Sequence, residues 1–550
     1  MGRISTSSDY GTTPDRVIGA RPVGDGSFKS SWKLTPESIT DPVVIVLNPN
    51  VLPIVFVPGI MGSNLKSKGA NSQPVWRLDA GFARQPTSLI GRWRTASAGD
   101  RQATLHPSRC QVDDDGHAPD EPVGTVANVS IYKQRGWGEV AQTSYHEFLL
   151  SLEKQLNTFR KLSVDQLLRA AGHGNAQTLQ DWRAEKPAQA ISEQDAKALN
   201  GWHYPVYAYG YNWLDSNKVA ADGLMKRINQ IIKENNKGLY RCEQVVVITH
   251  SMGGLVARRC QMLEGMEAKI AGIVHGVMPA IGAPVAYRRI KVGMRDEDAL
   301  AGMVLGQAGT DVTPVFAQSP GALQLLPNKQ YPQGWLRVTD DKGRPLAAYP
   351  KTDPYAEIYR NHKDWWGLIK EEWLAPKGGK KWTWDDFIDT VKLAEDFHEV
   401  LGKSYHPNTY VYCGEPTSSA EKNSMARMTW QAELPPTLLP PKMSTENIAN
   451  AGLAAIDQSG ANPLAARYPD RAGIAWSLVA SGFDAGGDGT VPAVSGRAPI
   501  QQNPACVQQQ VRLSGFKHEG SYRDSGAQDF VFYALARIAA QARLPAAGFR

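Results

Sequence analysis

The sequence is poor in cysteine, and its cysteines show no pattern that would join them. Only five occur among 550 residues: Cys110, Cys242, Cys260, Cys413 and Cys506. The number is odd and no Cys-x-x-Cys spacing is present, which argues against a disulfide framework and against a zinc site. We therefore expect free thiols, no metal ion and no cofactor.

The sequence also lacks a strong excess of charge of either sign. Lysine and arginine number 60 against 54 acidic residues, a formal net charge of +6. A nucleic-acid-binding protein needs a concentrated basic face, so nucleic acid is not an expected partner. The 42% of hydrophobic residues suffices for a sizeable core.

No targeting or membrane segment is evident. The first residues lack the apolar stretch of a signal peptide, so we expect synthesis in the cytoplasm without one. The longest stretch without charge, residues 43–65, is interrupted by Pro49, Pro53 and Pro58. Because proline breaks helices, this stretch predicts two short buried strands rather than a membrane span.

Short apolar runs of strand length alternate along the chain with amphipathic helical patterns. The runs are 54–57, 206–209, 245–248, 273–277 and 409–412, and the helical patterns are 148–156, 217–236, 252–264 and 529–540. This alternation predicts an α/β fold with a mostly parallel central sheet and helices on both faces.

Breaks in the alternation suggest a hydrolase core in two parts with large insertions. The predicted segments are a loosely structured arm at 1–50, a first core part at 51–289 with an insertion at 66–200, a helical, tryptophan-rich cap or lid at 290–405, and a second core part at 406–550 with an insertion at 415–470. Residues 475–479 predict one further strand.

The most informative motif follows the apolar run 245–248. The sequence THSMGG (249–254) places Ser251 on a tight turn between a strand and a helix, which is the setting of a nucleophilic serine. Gly253 and Gly254 leave the space that such a turn requires. His250 is expected to point away from Ser251 and to serve in packing or orientation.

A serine hydroxyl needs a base and an acid, and α/β-hydrolases supply them in the chain order serine, acid, histidine. His518 is the only histidine after His406 and is the predicted base. The loop GGDGTVP (486–492) contains Asp488, which we prefer to its rival Asp484 because flanking glycines let the carboxylate approach a histidine. The predicted catalytic set is therefore Ser251, Asp488 and His518.

An oxyanion hole requires two backbone donors aimed at the developing negative charge. The N–H of Met252, next to the nucleophile, is the first predicted donor. The second is the N–H of Ile60 in the loop PGIMGS (58–63), which follows an early buried strand.

These motifs resemble known families. IVFVPGIMGS (54–63), YGYNW (209–213), SPGALQLLP (319–327) and GDGTV (487–491) resemble lecithin–cholesterol acyltransferase and the related lysosomal phospholipase, and THSMGG is similar to the elbow of GPI-inositol deacylases. The chain departs from these patterns at Asn212, where the first family has aspartate, and at Thr249, which replaces the first glycine of Gly-x-Ser-x-Gly.

The combination of a hydrolase core, large insertions and the segment RGWGE (135–139) also resembles bacterial lipase effectors of type VI secretion. This resemblance implies an antibacterial toxin that is made in the bacterial cytoplasm and delivered to the periplasm of a target cell. It also implies a phospholipid substrate at a membrane surface and a cognate immunity protein as partner.

The predicted activity is a serine esterase acting on acyl esters of phospholipids. The long interval between Ser251 and Asp488 fits a cap over an apolar trench for acyl chains, with tryptophans that either line the trench or pack inside the cap. Three alternatives stay open: acyl transfer to an alcohol, hydrolysis of small soluble substrates by a carboxylesterase or amidase, and ligand binding on an inactive hydrolase scaffold.

Overall fold

The computed structural model of the chain describes most of the molecule. It covers residues 49–77, 79, 93, 95–124, 126, 128–157, 176–187, 189–294, 304–340, 342–416, 424–433 and 484–545, together with the backbone of the strands given below for the segments 1–48 and 434–483.

The core is a six-stranded sheet in which every neighbouring pair is parallel. In spatial order its strands are Val507–Leu513, Thr409–Gly414, Ile270–Gly276, Val245–His250, Ile54–Val57 and Val206–Ala208. The predicted parallel sheet is confirmed. Since all strands point the same way, their carboxyl ends meet at one edge, where α/β sheets carry their sites.

Both faces of this sheet are covered. Successive side chains of a strand point to opposite faces, and Val245 and Val247 accordingly belong to one apolar cluster while Val246 and Ile248 belong to another. The first cluster includes helices Asn217–Glu234 and Gly253–Gln261, and the second includes helices Gln142–Leu156 and Ser525–Gln541. All four helices fall where the apolar periodicity predicts them.

A second six-stranded sheet, here called the cap sheet, is separate from the core sheet. Its strands in spatial order are Pro345–Tyr349, Leu336–Thr339, Met428–Glu433, Ala475–Ser481, Pro463–Arg467 and Leu453–Ile456. The prediction of a helical segment at 290–405 is therefore incomplete. The strand predicted at 475–479 exists, but it joins the cap sheet rather than the core.

The amino-terminal and early segments also contain sheets. Strands Ile4–Ser5, Val43–Leu47, Arg16–Pro22 and Phe28–Lys29 form a four-stranded sheet, in that order. The segment predicted as a loosely structured arm at 1–50 therefore contains these strands, and the rest of residues 1–48 lies outside the described residues. Strands Pro74–Trp76, Leu65–Ser67 and Cys110–Val112 form a small antiparallel sheet.

The remaining helices surround the core and the cap. They are Ala98–Thr104, Ser130–Gln134, Trp137–Glu139, Ala176–Asp181, Glu193–Asn200, Met266–Lys269, Pro284–Val292, Gly309–Phe316, Pro320–Leu323, Tyr355–Tyr359, Glu371–Trp373, Trp384–Leu401, Ala493–Gly496, Ala498–Gln502 and Ser521–Arg523. None of the helices in the described ranges combines the length and the apolar character needed to cross a bilayer.

Candidate active site

The turn after strand Val245–His250 is a strained elbow. Ser251 has a φ of 52°, in the left-handed region that non-glycine residues rarely adopt. Its N–H donates to the carbonyl of Gly276 at 2.9 Å, which anchors the turn to the neighbouring strand. A Cβ at Gly253 would lie 2.4 Å from the carbonyl oxygen of Val57, so only glycine fits there. The elbow thus presents the serine at the carboxyl edge of the sheet.

Ser251, His518 and Asp488 form one continuous hydrogen-bonded chain. The Oγ of Ser251 lies 2.9 Å from Nε2 of His518, and Nδ1 of His518 lies 2.8 Å from Oδ2 of Asp488. A carboxylate accepts, so the ring carries its hydrogen on Nδ1 and leaves Nε2 to accept the serine proton. The geometry required of a nucleophile, a base and an orienting acid is therefore present.

The carboxylate of Asp488 is held by its own loop. Its Oδ1 accepts hydrogen bonds from the N–H groups of Thr490 at 3.0 Å and Val491 at 2.7 Å, and its side chain is 1% exposed. The backbone N–H of His518 donates to the Asp488 carbonyl at 2.7 Å. These bonds leave Oδ2 directed at the histidine ring.

The acid reaches the sheet edge after a long excursion of the chain. A Cβ at Gly414, the last residue of strand Thr409–Gly414, would lie 2.6 Å from the Cβ of Asp488. In space Asp488 therefore sits at the end of that strand, although strands of the cap sheet intervene in sequence. His518 follows the neighbouring strand, Val507–Leu513.

The rival acid, Asp484, has a different environment. Its Oδ1 accepts from the N–H of Ala426 at 2.9 Å, and its Oδ2 accepts from Nε of Arg427 at 2.6 Å. These contacts fix the chain just before cap strand Met428–Glu433. The structure brings Asp488, and not Asp484, to His518.

Both predicted oxyanion donors lie beside the nucleophile. Met252 is the N-cap residue of helix Gly253–Gln261. Ile60 precedes Met61, whose φ of 61° marks a tight turn that is closed by a hydrogen bond from the Gly62 N–H to the Gly59 carbonyl. Within the described part of the chain, no protein acceptor pairs with the N–H of Ile60 or Met252. Their assignment to an oxyanion hole stays a prediction.

A cavity of about 330 Å³ opens onto Ser251 and His518. Its walls are predominantly apolar: Ile60, Met61, Trp76, Pro279, Ala283, Val285, Ala286, Ile290, Met294, Phe316, Ala322, Leu325 and Val491. Ala322 and Leu325 belong to the sequence motif SPGALQLLP (319–327) noted above. The buried cap tryptophans Trp335, Trp365 and Trp366 do not line the cavity, which agrees with packing inside the cap.

Two charged side chains that the sequence did not indicate also line the cavity. Arg289 is its cation among the described lining residues, and its Nη2 donates to Oγ1 of Thr490 at 3.5 Å. Glu519 accepts from Oγ of Ser144 at 2.8 Å and lies 3.6 Å from Arg523. Arg289 sits on helix Pro284–Val292, where nothing distinguishes it in sequence from Arg288.

The departure at Asn212 has a structural explanation. Its Nδ2 donates to the carbonyl oxygens of Pro107 at 2.8 Å and Cys110 at 3.1 Å. A carboxylate has no hydrogen to donate, so aspartate could not make these bonds. The asparagine therefore ties the end of strand Val206–Ala208 to the early insertion and leaves the site intact.

The described residues offer one acidic cluster for a cation, Asp113, Asp114 and Asp115. The Nζ of Lys66 lies 2.5 Å from Asp114 and 3.2 Å from Asp115, and Arg77 pairs with Asp113. Lys66 and Arg77 already pair with these three carboxylates, so the cluster is explained as a set of ion pairs.

With this geometry established, comparisons with known proteins identify the fold. Residues 173–295 match a family model described as the PGAP1-like alpha/beta domain. A chain in the structure described as the Tle4–Tli4 complex is 27% identical, with a TM-score of 0.67, and the match covers 89% of this chain and 98% of that one. The chain is an α/β-hydrolase.

Two further comparisons add little. Phospholipase PlaB from Legionella pneumophila is 11% identical over 59% of this chain and 78% of its own, but the TM-score of 0.15 is too low to support a structural inference. A search of curated proteins finds no match. The predicted class, a serine hydrolase of the lipase and esterase type with an α/β-hydrolase core, is confirmed.

Proposed function

We propose that this α/β-hydrolase cleaves acyl esters of phospholipids with Ser251 as nucleophile, His518 as base and Asp488 as acid. The observation that carries the proposal is the unbroken Asp488–His518–Ser251 hydrogen-bond chain opening onto an apolar cavity. A binding protein on an inactive scaffold would not require this series of hydrogen bonds.

In the proposed reaction, Nε2 of His518 takes the proton of Ser251 Oγ as the oxygen attacks the ester carbonyl. Asp488 holds the ring and stabilises the imidazolium. The N–H groups of Ile60 and Met252 donate to the oxyanion, and His518 returns its proton to the leaving alcohol. Water, activated by the same histidine, then releases the fatty acid from the acyl-enzyme.

The cavity supports a lipid substrate. Apolar walls suit an acyl chain, whose burial contributes about 0.8 kcal/mol for each CH₂ group. Arg289 supplies a cation to the same cavity, and a guanidinium binds a phosphate with paired hydrogen bonds. An apolar trench with one arginine favours a phospholipid over a neutral glyceride.

The Tle4–Tli4 complex supports a biological setting for this activity. We extend the similarity to a toxin that is delivered by type VI secretion and is neutralised in the producer by an immunity protein. Growth of a bacterial host expressing the chain in its periplasm, with and without a co-expressed candidate immunity protein, tests this setting. Normal growth of the host that expresses the chain alone would contradict it.

The chemical proposal is tested with vesicles of mixed phospholipids and mass spectrometry of the products. Wild-type protein should release free fatty acid and lysophospholipid, and Ser251→Ala should lower that rate by several orders of magnitude with unchanged thermal unfolding. Equal turnover by Ser251→Ala would refute the proposal. Fatty-acid esters of an added alcohol would indicate acyl transfer instead.

A further inference from the structure

Two buried residues beside the triad, Tyr145 and His250, lie in a second hydrogen-bond chain. Nε2 of His250 is 2.9 Å from the carbonyl oxygen of His518, and its Nδ1 is 3.0 Å from the hydroxyl of Tyr145. That hydroxyl is 3.3 Å from the N–H of Gly59, the residue before Ile60. The chain therefore runs from the oxyanion loop, residues 58–63, to the backbone of the catalytic histidine.

Every proton in this chain can be assigned. The carbonyl of His518 can only accept, so Nε2 of His250 carries a hydrogen. Burial lowers the pKa of His250 to about 3, with the nearby His518 adding to the effect, so the ring is neutral and Nδ1 accepts. The hydroxyl of Tyr145 must then donate to Nδ1, and its lone pair accepts from Gly59.

Gly59 and Gly62 of the oxyanion loop lie so close to this pair that a larger residue would clash with it. A Cβ at Gly59 would lie 2.9 Å from Nδ1 of His250, and a Cβ at Gly62 would lie 2.6 Å from the hydroxyl of Tyr145. Tyr145 and His250 are both 3% exposed, and the loop rests directly on them. The pair therefore blocks any movement of the loop towards it.

We propose that Tyr145 and His250 are positioning residues that hold the oxyanion loop at a fixed distance from His518. We call this hydrogen-bonded pair the relay. The proposal rests on the catalytic roles proposed above. Asp488 fixes the N–H of His518 while His250 fixes its carbonyl, so the relay completes the restraint of the histidine. In the transition state the oxyanion donors and Nε2 of His518 must act at the same substrate carbonyl. The relay connects the loop that carries one donor to the backbone of His518.

The test compares His250→Leu, His250→Gln and Tyr145→Phe with wild type on a soluble chromogenic acyl ester. His250→Leu and Tyr145→Phe should each lower kcat by about 10- to 100-fold with KM little changed, because a buried donor or acceptor loses its partner. Glutamine carries both a donor and an acceptor, so His250→Gln should stay within about fivefold of wild type. The double variant should lose less than the product of the single losses.

Matched controls come from the same chain. Tyr132 is buried and, like Tyr145, accepts from a backbone N–H (Val123, 2.9 Å), while donating to the Glu121 carbonyl. His146 is buried and, like His250, pairs its Nε2 with a backbone carbonyl. Neither lines the cavity. Tyr132→Phe and His146→Leu should leave kcat within about twofold while lowering thermal stability comparably.

The outcomes separate the relay from the proposed function. If kcat falls equally in the controls, if it falls only in step with the fraction of folded protein, or if His250→Gln is no better than His250→Leu, the relay is overturned. Unchanged kcat in His250→Leu and Tyr145→Phe, with Ser251→Ala inactive, also overturns the relay and leaves the proposed function standing. Turnover by Ser251→Ala would instead refute the proposed function.

Discussion

Replacing Asp488 by asparagine tests the assignment of the catalytic acid most directly. The two loop amides, from Thr490 and Val491, donate to Oδ1 of the carboxylate. In Asp488→Asn only the amide oxygen can accept those bonds, so the amide NH₂ must face Nδ1 of His518. The histidine then has to carry its hydrogen on Nε2, where it points at Ser251 and cannot accept the serine proton.

This wrong tautomer sets the size of the effect. Loss of the base with the geometry intact is expected to lower kcat by about 10⁴-fold, which corresponds to about 5.5 kcal/mol in the activation free energy. Asp484→Asn is the matched control. It weakens the half-exposed pair with Arg427 and should cost about 1 kcal/mol of stability with kcat unchanged.

The assay is the rate of fatty-acid release from phospholipid vesicles, with the fraction of folded protein measured in parallel by thermal unfolding. Fluorophosphonate labelling of Ser251 gives a second readout, and it should slow in Asp488→Asn. If Asp488→Asn keeps more than a tenth of wild-type kcat, or if Asp484→Asn loses as much, the assignment of the acid is wrong.

Three further predictions concern specificity, pH and the elbow. Arg289→Gln should lower kcat/KM on a phospholipid by about 10-fold or more and on a neutral soluble ester by less than about twofold, because only the former has a phosphate to pair. Burial, with Lys370 nearby, lowers the pKa of Lys291 to about 7. Between pH 7 and about 10 the unfolded state therefore binds more protons than the native state. The free energy of unfolding, measured in urea, should rise with pH in this range by up to about 1.4 kcal/mol for each pH unit, and Lys291→Met should remove this contribution. Gly253→Ala should abolish fluorophosphonate labelling and lower the melting temperature, since its Cβ meets the Val57 carbonyl oxygen at 2.4 Å; labelling at the wild-type rate would contradict this.

The strands that carry the nucleophile and the oxyanion loop were predictable because they are continuous apolar runs. Strand Val507–Leu513 was not, since three consecutive glutamines interrupt its apolar pattern. Gln509 and Gln510 are nevertheless buried, and the side-chain oxygen of Gln510 accepts from the N–H of Ile500. Tertiary hydrogen bonds therefore compensate for a polarity that argues against a buried strand.

The cap sheet was equally hidden from local patterns. Strand Leu336–Thr339 has only four residues and pairs with Met428–Glu433, which is distant in sequence. No periodicity in one segment reveals a partner in another. The relay of Tyr145 and His250 is hidden for the same reason, because its hydrogen bonds join residues 86, 105 and 268 positions apart.

Asp484 and Asp488 show what chain order can and cannot decide. Both acids follow the nucleophile and precede the histidine, so order admits either, and only the flanking glycines favour the second. The structure gives the reason for the glycines, since a Cβ at Gly487 would lie 2.2 Å from Oγ of Ser424. The backbone at Gly487 passes close to Ser424 as it runs from Asp484, which anchors the start of the cap sheet, to the end of strand Thr409–Gly414. There Asp488 contacts His518. Asp484 and Asp488 therefore have different roles in one loop, because Asp484 anchors the cap sheet and Asp488 faces the histidine.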